Sequence, residues 1–131
     1  MTETFVDSFF WIATINPKDV HHQWALRTPK PQRIVTSDAV LLEVMNTFHA
    51  ARWRKVVVDF WRALKSDPDT LVIPVDHNLL NRGVDLLENR HDKDWSLTDC
   101  TSFLIMEARG ITDALTGDRH FVQAGFRMLF P

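Results

Sequence analysis

Four carboxylates in this chain stand where their neighbours do not account for them. Asp7 lies inside TFVDSFFWI, a run of apolar side chains in which an unpaired buried charge costs several kcal/mol. Glu43 lies in LLEVM, with no Lys or Arg four residues away on either side. A partly buried acid without a local partner points to a cation supplied from elsewhere. Asp99 follows Ser96 by three residues, and Asp118 lies in TGDRH. Three of the four also have ordinary structural readings: Asp7 as a helix N-cap, Asp99 as the acid of a capping box, and Asp118 as a turn residue.

The elements that must position these acids alternate along the chain. Residues 4–7 read as a short strand leading into a helix that runs to Ile15 and stops at Asn16-Pro17. A second helix is expected from Asp19 to Arg27. RIVTS (33–37) is β-branched and feeds the helix DAVLLEVMNTFHA, which Ser37 or Asp38 can cap. Trp53, Val56, Val57, Phe60, Trp61 and Leu64 recur at helical spacing, and Asp67-Pro68 ends that helix. TLVIPV (70–75) reads as a buried strand, Asp76 caps a helix to Asn89, and Ser96 caps another to Arg109, closed by Gly110. GITDALT carries a fourth strand and FRMLF a fifth. Strands separated by helices imply a parallel sheet with helices on both faces, an α/β doubly wound fold. In such a fold ligands bind in the crevice beyond the carboxyl ends of the strands, and all four acids fall there.

Composition narrows the alternatives. The 131 residues, 45% hydrophobic and 24% charged, suit one domain spanning residues 1–131 with one substantial core. A net charge of -2 leaves any nucleic-acid contact to a local patch, for which Arg52, Arg54, Lys55 and Arg62 are candidates beside the ordinary reading of a solvated helix face. The single cysteine, Cys100, rules out an internal disulfide and multi-cysteine zinc sites, fits a small core residue, and suits a reducing cytoplasm. The start, MTETFV, has an acid where a signal peptide needs a basic region, and no apolar run approaches the ~20 residues that span a bilayer. The six histidines lack HExxH or paired zinc spacing, although His120 is placed near any substrate. No Walker A, G-x-S-x-G or G-x-G-x-x-G motif occurs, and the acid pair and late lysine of a receiver domain are missing.

Taken in order, FVDSFF, TSDAVLLEVMN, DWSLTDCTSFLIM and LTGDRHF resemble the PIN-domain ribonucleases, and especially the toxins of the VapBC type of toxin-antitoxin pair, over nearly the whole length. The resemblance implies a three-layer α/β/α sandwich with a mostly parallel sheet of about five strands. It makes Asp7, Glu43, Asp99 and Asp118 the catalytic, metal-binding acids, with Ser8 and Thr116 as polar companions at the rim that position substrate. It implies Mg²⁺ or Mn²⁺ as cofactor, RNA as substrate, an antitoxin protein as partner and a homodimer; a non-toxic RNA-processing nuclease and a non-catalytic binding module are the alternatives. The chemistry agrees, because two carboxylates about 4 Å apart repel by about 4 kcal/mol at an effective dielectric near 20 and call for a cation between them. All-oxygen ligands select hard ions, which polarise a phosphodiester and activate water.

Overall fold

Three consecutive residues buried on both faces, Thr4, Phe5 and Val6, make the first strand the centre of the sheet. A computed structural model describes residues 2–131. In it β1 (Glu3–Val6) is flanked by β2 (Arg33–Ser37) and β4 (Asp113–Leu115), with β3 (Thr70–Ile73) outside β2 and β5 (Arg127–Leu129) outside β4. Every pairing is parallel, with Phe5 opposite Val35 on one side and Ala114 on the other. The helices are α1 (Ser8–Ile15), α2 (His22–Arg27), α3 (Asp38–Thr47), α4 (Arg54–Ser66), α5 (His77–Asn89), α6 (Leu97–Arg109) and α7 (His120–Gln123).

Parallel neighbours require crossovers, and crossovers in one sheet are right-handed. From β1 the chain moves outward through β2 to β3, so α1 to α4 cover one face. It then returns past β1 to β4 and β5, so α5 to α7 cover the other. The result is a three-layer α/β/α sandwich whose direction of winding reverses between β1 and β4. Phe5, Val35, Val40, Leu41, Met106 and Phe121 are fully buried in its core. Because crossover helices run against the strands, the N-termini of α1, α3 and α6 all gather at the carboxyl edge of the sheet.

The caps follow local chemistry. Ser37 accepts from the Val40 amide at 3.1 Å, which leaves Asp38 to accept from the Val75 amide at 2.8 Å. Asp76 accepts from the Leu79 amide at 2.8 Å, and Gly110 closes α6 in the left-handed region at φ 66°. Several expectations need correction. The second helix begins at His22, since the chain turns through residues 17–21. α3 ends at Thr47, and a 3₁₀ turn (Ala51–Trp53) leads into α4. Val56 is exposed, not part of the apolar stripe. β3 stops at Ile73, because Pro74 has no amide to donate, and is half-buried as an edge strand. The fourth strand is only three residues long, and the four-residue α7 is too short to show a periodicity. Among the described residues no helix is long and apolar enough to cross a membrane.

α5 and α6 approach closely at Gly83. A Cβ there would stand 2.8 Å from Thr101 Cγ2 and 3.1 Å from Leu97 Cδ1. Thr101 is buried, β-branched and tied to the Thr98 carbonyl at 3.0 Å, so it has little room to yield. Gly83→Ala should therefore destabilise the protein by about 1–3 kcal/mol despite the better helix propensity of alanine. A denaturant midpoint equal to or above that of the wild type would show that the helices separate freely.

Candidate active site

The winding reversal falls between β1 and β4, and in such sheets the ligand crevice lies beyond the carboxyl ends of those strands. Asp7 follows β1 directly and precedes α1. It is only 4% exposed, and its side chain makes no capping bond to α1. Its Oδ2 instead accepts from the Thr116 hydroxyl at 2.9 Å, and the Thr116 oxygen accepts from the Asp118 amide at 3.0 Å. Thr116, fully buried just past β4, thus lies at the floor of the crevice rather than at its rim. Ser8 is buried as well and donates its hydroxyl to Glu43 Oε1 on α3.

Asp99 and Asp118 keep their structural roles while facing the same space. Asp99 forms a complete capping box: its Oδ2 accepts from the Ser96 amide and its own amide donates to Ser96 Oγ, both at 3.0 Å. Asp118 Oδ1 accepts from the His120 amide at 2.9 Å in a local turn. His120 Nδ1 then stands 3.0 Å from Asp99 Oδ2 and 3.4 Å from Asp118 Oδ1. One ligand atom from each of Asp99, Asp118 and His120 lies within 4.8 Å of the others. Glu43 differs from expectation: it is exposed, and its partner is the Ser8 hydroxyl.

Electrostatics links Asp7 to Asp99 and Glu43, while Asp118 is joined to Asp7 through Thr116 and to Asp99 through His120. The close ligand cluster itself holds Asp99, Asp118 and His120 and not Asp7 or Glu43. Desolvation pushes the Asp7 carboxyl from 3.8 up to about 7. The Thr116 hydroxyl and the Ser8 amide hold it below what burial alone would give, and the charges of Asp99 and Glu43 push it further up. Among the described residues the only ion-pair partner of the four acids is His120. A set of carboxylate oxygens with one imidazole and no Lys or Arg suits a hard divalent cation, as its donor chemistry requires. The sequence placed His120 near substrate; the structure brings it into the acidic cluster itself. The cue was its position two residues after Asp118. The Ser8–Glu43 contact, between residues 35 apart in sequence, left no such cue.

Comparison with known proteins sets this geometry in context. The family model described as PIN domain matches residues 4–127. The chain is 31% identical over 127 residues to a Mycobacterium tuberculosis protein named 23S rRNA-specific endonuclease VapC20, across 93% of this chain and 94% of the relative. The crystal structure of that VapC20, described as a sarcin-ricin loop cleaving toxin, matches with a TM-score of 0.87 at 29% identity, covering 98% of this chain and 99% of the other. FitAcB from Neisseria gonorrhoeae matches with a TM-score of 0.65 at 14% identity, covering 98% and 97%, a likeness of fold alone.

The raised Asp7 pKa has a defined sign. The unfolded chain ionises Asp7 near 3.8 and the folded protein only near 7, so the folded state holds the extra proton and stability falls as pH rises through that window. Asp7→Asn should remove this cost. The metal-free variant should match the wild type near pH 4 and exceed its stability by up to a few kcal/mol above pH 7, at about 1.4 kcal/mol per pKa unit. Melting curves across pH check it, and a variant less stable than the wild type at about pH 8 would mean that the Asp7 charge is needed to cap α1.

Proposed function

This chain belongs to the PIN-domain family, and we propose that it is a metal-dependent endoribonuclease acting as the toxin of a toxin-antitoxin pair. The observation that carries the reading is the Asp7–Thr116–Asp118 chain of hydrogen bonds, with Asp99 alongside, in a chain 31% identical over most of its length to an endonuclease. Asp7, Glu43, Asp99 and Asp118 would hold Mg²⁺ or Mn²⁺. When bound, such an ion neutralises charge on a phosphodiester and makes water nucleophilic near neutral pH.

The chain's own residues prepare the site. The Thr116 hydroxyl donates to Asp7 Oδ2 and fixes the carboxyl at the end of β1. Ser8 orients Glu43, the capping box fixes Asp99, and the turn at Asp118 holds its carboxylate beside His120. The N-terminus of α6 adds its partial positive charge where an anionic backbone would approach. The exposed Arg52, Arg54 and Arg62 are candidates for backbone contacts; Lys55 is engaged with Asp59 at 2.8 Å. RNA is the proposed substrate, and large-subunit ribosomal RNA is the first to test because the Mycobacterium tuberculosis relative is named for it.

A toxin needs a neutralising partner, and an apolar groove of about 750 Å³ between α3 and α4 is available to one. Leu42, Met45, Val58, Trp61 and Leu80 line it, with Leu42 exposed. We assign it to the apolar anchors of a cognate antitoxin, whose arginine would pair with the acids. A homodimer and a cytoplasmic location complete the proposal.

Asp99→Asn and Asp118→Asn should each lower RNA cleavage by more than about 100-fold, beyond the 10–100-fold typical of losing a group that merely orients a ligand. Expression of the wild type alone should arrest growth, and the Asp99→Asn variant should not. Cleavage in vitro without growth arrest would favour a processing nuclease. Neither cleavage nor arrest would favour a binding module.

A further inference from the structure

Two residues away from Asp7 and one residue before Asp118, two residues meet in a contact that the acids do not account for. Phe9, on the first turn of α1, points its ring tip at the backbone of Gly117. A Cβ on Gly117 would stand 2.3 Å from Phe9 Cζ, 2.5 Å from Cε1 and 2.9 Å from Cε2. Ordinary van der Waals contact begins at 3.4 Å, so the ring would have to retreat by about an ångström to reach it. It is not free to do so. His21 stands against it with ring centroids 5.2 Å apart, Trp24 at 6.2 Å and Phe130 at 5.5 Å, the last two edge to face. Trp24 and Phe130 also touch each other at 5.0 Å, and His21 meets Phe130 at 5.0 Å. Rings from α2, the turn before α2 and the C-terminal segment therefore brace Phe9.

We propose that Phe9 and Gly117 form a lock that sets the position of Asp118 relative to Asp7, with Phe9 a positioning residue acting through the Gly117 backbone. The proposal rests on the reading of Asp7 and Asp118 as cation-holding acids. Asp7 is carried at the start of α1 and Asp118 on the loop after β4, so their separation depends on how closely that loop lies against α1. The Asp7 amide donates to the Leu115 carbonyl at 3.3 Å and the Thr116 hydroxyl to Asp7 Oδ2, which anchors the loop at its start and leaves the residues beyond Thr116 free to pivot. The Phe9 ring on Gly117 supplies a second point on the next residue of the loop. With two points fixed, the Asp118 amide is held 3.0 Å from Thr116 Oγ1 and its carboxylate beside His120 before any ion arrives. Glycine is required for its missing Cβ; its backbone is not in the left-handed region.

The test is Mn²⁺ titration calorimetry on the wild type, Gly117→Ala and the double variant Phe9→Leu/Gly117→Ala, with the Asp118 amide signal followed by NMR in the metal-free proteins. Gly117→Ala should bind Mn²⁺ at least about tenfold more weakly, as for other losses of a ligand-orienting group, and should move the Asp118 amide signal. The double variant, whose shorter side chain makes room for the methyl group, should recover to within about threefold of the wild type and return the signal toward its original position. Wild-type affinity in Gly117→Ala overturns the proposal, as does a double variant that is unfolded or binds no better than the single one. If the wild type itself binds no Mn²⁺, the proposed function fails, and the amide signal decides the lock: movement in the single variant with return in the double upholds it, and an unmoved signal overturns it.

Discussion

Burial of the Asp7 carboxylate is the constraint to which the surrounding structure answers. A carboxyl closed off from water at the end of the central strand is costly when ionised, and the fold does not relieve that cost with a lysine or arginine among the described residues. It supplies one hydroxyl from Thr116 and surrounds the site with further acids, which makes ionisation harder still. Such an arrangement is unfavourable for stability alone. It becomes intelligible as a site kept ready for a cation, where the same repulsion that weakens the metal-free protein adds to the driving force for binding.

The sheet explains why this constraint can be met here. With all five strands parallel, every strand delivers its carboxyl end to one edge, and every crossover helix begins there. Reversal of the winding between β1 and β4 opens the crevice beside Asp7, and the first turns of α1 and α6 and the middle of α3 bring Ser8, Asp99 and Glu43 to it. The acids come from four separated stretches of sequence, and each is held by a short-range device: a strand end, a helical turn, a capping box, a turn. The long-range contacts, Thr116 to Asp7 and Ser8 to Glu43, set their relative positions.

Much of this was legible in the residues, for physical reasons. Strand-then-helix alternation, the caps at Ser37, Asp76 and Ser96, and the stop at Gly110 depend on local chemistry, and each was read within a few residues. Asp99 shows how two readings can both hold, since its carboxylate completes the capping box and faces the cluster at once. The failures share a different cause. Exposure of Glu43, the edge position of β3, the outward turn of Val56 and the inward turn of Thr116 are set by which elements become neighbours, and that depends on residues far away in sequence. The fit of Phe9 on Gly117 belongs to the same class, because the loop of four residues between β4 and α7 carries no periodicity from which its packing can be read.

A cation entering the site should displace the proton that burial leaves on Asp7. Calorimetric titration of Mn²⁺ in two buffers of different ionisation enthalpy, at about pH 6 and about pH 8, measures both binding and the protons released with it. The wild type should bind at millimolar Mn²⁺ or below, release protons at the lower pH and far fewer at the higher, and lose the pH 6 release in Asp7→Asn. No binding at millimolar Mn²⁺, or the same proton release with and without the Asp7 carboxyl, would contradict it.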